Sequence, residues 1–442
     1  MTLTTLTAAD LGRAIAAGTT TPMGATEAYL DAAGALPKAH DIYTAMTPER
    51  ALAEAEAATQ RARDGVRRGP LDGVPISWKD LFDSAGTATE AGSQLLKGRV
   101  PEGDARVLAH ATQEGLICLG KTHMSELAFS GLGINPKAAT SPNALMPGHA
   151  PGGSSSGAAA SVAFGIAAAG IGSDTGGSVR IPAAWNDLVG LKTMSGLLSL
   201  RGVVQLCPRF DTIGPLCRSV EDAALLLEAM GGPKAPDLTQ TSASQLHLAV
   251  LDTTAFDDIR PEPATAFEAS VKRLTAAGVT VSHITIPQVA EAMTLSGPLF
   301  TAEAYATCGE LIETAPELMF DRVLGRFRAG RDVDAVAYIR AWQTLEGHRA
   351  AYAAAIARFD GVIVPASPNL PPDVARGLAD EAYFITENLL ALRNTRIGNL
   401  MGLAAITLPT ETPACGLQVL GRSFGEAHLL RVAAALEPLL KG

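Results

Sequence analysis

The sequence predicts an α/β fold, with strands and helices alternating around a layered core. Three observations carry that expectation. Short apolar runs of strand length recur between longer, alanine-rich amphipathic segments. The chain has 442 residues, 47% of them hydrophobic, which is enough for a large buried core. Aromatic residues make up only 5% while glycine contributes 44 residues, so backbones are expected to pack closely.

Residues 8–17 and 22–33 read as two helices, with Thr21 and Pro22 forming a cap and first-turn pair. Segment 48–66, rich in Ala, Glu and Arg, predicts a third. The periodicity then changes, and 74–78 reads as a short apolar strand. A helix at 104–114, a strand at 117–121 and a helical turn at 125–129 follow. Residues 158–169 predict a tightly packed helix leading into a buried strand, and Leu191-Lys192 lies in another. Helix 220–230 precedes a strand–helix–strand unit at 247–251, 262–276 and 280–286. Helices at 300–312 and 338–359 lead to a strand at 362–365. The C-terminal part reads helix 387–400, strands 405–408 and 417–420, and helix 426–440. There is no internal repeat and no low-complexity linker. Gly231-Gly232 and segment 233–244 are candidates for an insertion boundary.

The formal charge is −10, without a basic stripe or arm, which argues against direct nucleic-acid binding. The five cysteines (Cys118, Cys207, Cys217, Cys308 and Cys415) are odd in number and widely scattered. They read as buried thiols of a reducing cytosol rather than a disulfide framework. No metal-ligand spacing is present. The N-terminus has neither a basic region nor a long apolar one, so no signal peptide and a cytoplasmic location are expected. Segment 150–173 is uncharged and has the length of a membrane span. It opens on Pro-Gly-Gly-Ser-Ser-Ser-Gly and continues as alanine and glycine, so a core helix and strand are the better reading.

Three motifs bear on chemistry. At 174–180, Asp-Thr-Gly-Gly-Ser-Val-Arg places Gly176 and Gly177 directly before Ser178. Glycine backbone approaches a ligand closely, and successive N–H groups form an anion-attracting nest. A hydroxyl at its rim sits where an acyl-transfer nucleophile would, although such a turn alone is commonly only a turn. At 151–157, Pro-Gly-Gly-Ser-Ser-Ser-Gly supplies Ser154. At 73–80, Gly-Val-Pro-Ile-Ser-Trp-Lys-Asp places Lys79 at the end of an apolar run. A serine needs an adjacent base, most often histidine. None of the eight histidines lies in a catalytic pattern, and His149, near the serine loop, has no evident carboxylate partner. Lysine serves when burial lowers its pKa, and Trp78, Leu81 and Phe82 give Lys79 apolar neighbours. Asp80 falls on the opposite face of a strand.

In the order Lys79, Ser154, Ser178, these segments resemble the amidase signature family. The resemblance extends to Leu-Asp-Gly-Val-Pro at 71–75, Gly-Lys-Thr-His-Met-Ser-Glu at 120–126, Asp-Thr-Ile-Gly-Pro at 211–215 and Gly-Leu-Gln-Val-Leu-Gly-Arg at 416–422. It runs along most of the chain. It implies one large α/β/α domain, 1–442, around a mixed sheet covered by helices on both faces. Within it, N-terminal helices would occupy about 1–66, a catalytic core about 67–230 and a variable substrate-shaping region about 233–360. By the same resemblance Ser178 is the nucleophile. Ser154, preceded by a cis peptide bond, relays its proton, and neutral Lys79 is the base. The N–H groups of Thr175, Gly176, Gly177 and Ser178 would hold the oxyanion, and Phe129 and Ser130 would line the acyl pocket. No cofactor and no metal are implied. The partners would be a small amide-type substrate and water, without nucleic acid or membrane, and a homodimer is allowed.

Other readings stay open. Asp174 and Arg180 read as a structural pair, and Lys121 and His123 as scaffold or pocket rim. Gly-Ser-Ser-Ser-Gly at 153–157 fits the nucleophile elbow of a serine esterase of α/β-hydrolase type, with Ser155 as nucleophile. That elbow should follow a strand, and no downstream aspartate and histidine suggest themselves. A non-catalytic protein binding an anion on its glycine-rich loops is a third class, though no nucleotide-binding signature accompanies them. Ser156 stands where the family commonly has glycine. Trp78 is bulky for its position and is expected to narrow or shape the wall behind the lysine. Segment 409–415 is short, which favours a free-standing amidohydrolase over the glutamine-dependent amidotransferase subunit of the same family. Amides, anilides, carbamates and urea-like compounds are all open as substrates.

Overall fold

The computed structural model describes residues 2–441. Eleven strands form one sheet: β1 (Tyr43–Met46), β2 (Pro75–Lys79), β3 (Ile117–Thr122), β4 (Ala169–Asp174), β5 (Val189–Lys192), β6 (Thr212–Cys217), β7 (His247–Leu251), β8 (Thr280–Ile284), β9 (Gly361–Pro365), β10 (Ala405–Pro409) and β11 (Gly416–Leu420). Their spatial order is β1-β3-β2-β4-β6-β5-β10-β11-β9-β7-β8. The sheet is mixed. β2 runs parallel to β3 and β4, β7 runs parallel to β8 and β9, and the other neighbours are antiparallel.

Every residue of β2 to β6, β9 and β10 is buried. Strands hidden on both faces need a layer on each side, and helices supply both. The edges differ: β1 and β8 are only partly buried. The result is the single α/β domain that the alternation and the resemblance predict.

Local chemistry sets the elements. Thr21 accepts the Gly24 N–H at 3.0 Å, and Pro22 opens the helix Pro22–Ala35. The uncharged stretch folds as the helix Ser156–Ala163 followed by β4. Gly172 allows that packing, since a Cβ there would lie 2.5 Å from Ser155 Oγ. No helix among the described residues is long and apolar enough to cross a membrane. All five cysteines are free and buried.

Several elements escape periodicity. β1 is four residues long and mostly half-buried, so no alternation marks it. The helix Asp321–Arg328 is short and arginine-rich. The helical turn expected at 125–129 is only a 3-10 turn, Glu126–Ala128, where Leu127 and Ala128 take positive φ of 45° and 61°. The helix expected from 387 begins six residues earlier as Glu381–Leu400, because Asp380 caps it by accepting the Tyr383 N–H at 3.0 Å.

Candidate active site

The carboxyl ends of parallel strands β2, β3 and β4 converge on one side of the sheet, where open α/β folds place their ligands. Lys79 is the last residue of β2 and is wholly buried. Its Nζ donates to Ser154 Oγ at 2.7 Å and to Ser173 Oγ at 2.8 Å. Ser154 follows a cis peptide bond from Gly153, and its carbonyl accepts the Ser125 N–H at 3.1 Å. Burial pushes the Lys79 ammonium down to about 7, against the pull of Asp174 and Asp211.

Asp80 is turned away from this amine. Its Oδ1 accepts from Lys121 Nζ at 3.0 Å, and Lys121 also donates to Thr89. Lys121 is therefore scaffold. Trp78 also points away from Lys79, edge-to-face on Phe82 with ring centroids 5.3 Å apart. It does not shape the wall behind the lysine, contrary to expectation, because neighbouring strand residues face opposite ways.

Ser178 sits in the loop after β4. Its carbonyl accepts the Ser155 N–H at 3.2 Å, which joins the two serine loops. Its hydroxyl makes no hydrogen bond among the described residues and opens, with Thr175 and Gly176, onto a cavity of about 220 Å³. Thus Lys79 and Ser154 are joined by side chains, whereas Ser178 meets the serine loop through the backbone.

The loop is held rigidly. Asp174 is wholly buried and its carboxylate accepts the Gly177 N–H at 2.8 Å, the Val179 N–H at 3.2 Å and Asn399 Nδ2 at 3.0 Å. Arg180 clamps it through Nε at 3.0 Å and Nη2 at 2.9 Å. Burial alone would raise the Asp174 carboxyl, but the Arg180 guanidinium outweighs it and holds the group well below the usual carboxylate range. The pair is thus structural. Thr395 braces the other side by donating to the Gly176 carbonyl at 2.7 Å. Gly177, at φ +139°, has no room for a Cβ, which would collide with Thr395 Oγ1. Its N–H is committed to Asp174, while those of Thr175, Gly176 and Ser178 have no acceptor among the described residues.

Phe129 and Ser130 line the same cavity. His149 lies elsewhere, on a separate surface hollow beside Arg260 and Glu262, and His123 contacts the His40 carbonyl at 3.2 Å. Ser155 is wholly buried, with its Oγ on the Ser173 carbonyl at 3.3 Å, and does not line the cavity. Sequence reasoning missed Ser173, which only strand alternation with Ile171 could have suggested. It also missed Asp211, whose Oδ1 accepts the Thr175 hydroxyl at 2.5 Å, and the cavity residues Phe300, Arg326 and Arg396.

The Amidase family model matches residues 24–430 of the chain. The chain belongs to the amidase signature family. This family member is 35% identical to the 2-amino-5-chloromuconic acid deaminase of Comamonas testosteroni, over 90% of this chain and 88% of that one. It is 30% identical to a glutamyl-tRNA(Gln) amidotransferase subunit of Thermosynechococcus vestitus, over 93% of each. A solved amidase crystal structure superposes with a TM-score of 0.89 at 29% identity, covering 98% of this chain and all of that one (100%). The chain is accordingly an enzyme of a family acting on C–N bonds.

Proposed function

We propose that this enzyme hydrolyses a small carboxylic amide, or a related C–N bond, through an acyl-enzyme on Ser178. The observation that carries the reading is the 2.7 Å contact between Lys79 Nζ and Ser154 Oγ, made by a wholly buried amine held near 7. A lysine poised there accepts a proton at neutral pH, the task histidine usually performs.

Ser178 Oγ attacks the carbonyl carbon. Its proton passes to Ser154, and Ser154 gives its own to Lys79, which becomes an ammonium. The uncommitted N–H groups of Thr175, Gly176 and Ser178 receive the oxyanion, and the Gly177 N–H, drawn to Asp174, keeps the loop in shape. One such donor lowers a barrier by about 3–4 kcal/mol. Collapse breaks the C–N bond, and the proton returns through Ser154 to the departing nitrogen. Water then attacks the ester by the same route, releasing the acid and restoring Ser178.

A short link between β10 and β11 and the similarity to a deaminase both favour a free-standing hydrolase, rather than one component of an amidotransferase. The test is a panel of amides, assayed for released ammonia or amine without ATP, tRNA or added protein. Turnover is expected. Turnover only with partner subunits and tRNA would replace hydrolase by transamidase.

The pH profile follows from the sign of the lysine shift. Only neutral Lys79 accepts the proton, so falling pH protonates it and removes activity. The profile of kcat/KM is expected to rise along a single limb centred near 7. A flat profile from about pH 5 to about pH 9 would take Lys79 out of this role.

A further inference from the structure

The cavity beside Ser178 contains two guanidinium groups that the hydrolytic scheme does not use. Arg326, from the helix Asp321–Arg328, and Arg396, from the helix Glu381–Leu400, both line it. Neither takes part in an ion pair or a side-chain hydrogen bond among the described residues. Arg326 Nη1 is buried without any partner. Arg180, which is wholly buried, by contrast spends its donors on Asp174, Thr395, Gln418 and Asn399.

Arg326 is held over the Phe129 ring, with Cζ 4.4 Å from the centroid. That contact fixes the plane of the fork without using any N–H. Burial pushes Arg326 down to about 9, helped by the repulsion of Arg396, and burial pushes Arg396 to about 10. Both groups stay cationic at neutral pH. A cation withdrawn from water without a counter-ion destabilises a fold, and here two half-buried ones share one small chamber with the Ser178 hydroxyl. The rest of its lining is largely apolar, including Phe300, Leu206 and Leu392.

We propose that Arg326 and Arg396 bind the carboxylate of the substrate, so that the preferred substrate is a small amide bearing a free carboxylate on a short apolar skeleton. This rests on the hydrolytic reading of Ser178. The guanidinium fork matches a carboxylate in two parallel hydrogen bonds. The anion supplies the missing counter-charge and holds the distal end of the substrate, leaving the amide carbonyl free to approach Ser178. A cavity of about 220 Å³ suits an acid of a few carbons rather than a long acyl chain.

Binding to the Ser178→Ala variant, which needs no turnover, tests this by calorimetry. Succinate is the probe and succinamide its neutral counterpart. Succinate is expected to bind at least about tenfold more tightly, and Arg396→Gln or Arg326→Gln is expected to remove that preference. In enzyme with Ser178 intact, the ratio of kcat/KM for succinamate over butyramide should fall about tenfold in Arg396→Gln, mostly through KM. Should Arg326→Gln fail to fold, the Arg396 variant alone decides. Equal binding of succinate and succinamide, unchanged preference in the variants, or binding of inorganic phosphate in place of succinate would each overturn the proposal. A dead Ser178→Ala variant that shows no succinate preference sinks only this inference. A Ser178→Ala variant that still turns over sinks the nucleophile and leaves the succinate result standing.

Discussion

Ser178→Ala is expected to lose amide turnover by about 10⁴-fold or more, because on the proposed acyl-enzyme route its removal leaves only binding and oxyanion stabilisation. Its stability should hardly change. The Ser178 hydroxyl has no hydrogen-bond partner among the described residues, so the variant orphans no buried group. Circular dichroism and the urea midpoint are expected to match the parent. Lys79→Ala should be comparably inactive, since Ser154 then has no acceptor for its proton. Lys79→Arg should not rescue it, because a guanidinium stays charged where a neutral base is needed. Should Ser178→Ala keep full turnover while Ser155→Ala abolishes it, the nucleophile-elbow reading would take over.

The largest expected loss of stability lies two residues beyond, at Arg180. Arg180→Met should destabilise the fold by about 3–5 kcal/mol, because it leaves the Asp174 carboxylate buried without its counter-charge. It also strips partners from Gln418, Asn399 and the Thr395 carbonyl, all bound by Arg180. Asp174→Asn should be costly for the converse reason. In the double variant the two losses should not add, since neither charge remains to be stranded. Urea denaturation of the four proteins measures this coupling. Additive losses would mean that the pair matters only through its hydrogen bonds.

The alternation of apolar runs with amphipathic helices was enough to read the α/β class and most strand positions. Lys79 alone reads more readily as a surface lysine, and it was legible because it stands in order with the Ser154 and Ser178 loops. The two serine loops were legible because glycine and serine cluster there so densely. Ser173 was not, since it follows a run of alanine and glycine that reads as packing alone. Asp211 depends on β6 lying antiparallel to β4, and sheet order is a long-range property that local pattern does not encode. Arg326 and Arg396 sit on helices, where a charged residue ordinarily marks the solvated face. Only the tertiary packing of those helices over Ser178 turns both inward.

The helix Glu381–Leu400 carries Thr395 and Asn399, which hold the loop of Ser178, and also Leu392 and Arg396, which face the chamber. On the proposed assignments, selectivity and reactivity hang on a single rod, separated by one residue or one turn. An engineer retuning what this enzyme accepts should vary 389, 392 and 396 and leave 395 and 399 untouched. Any change that rolls or slides the rod would be felt at the scissile bond as well as at the far end of the substrate.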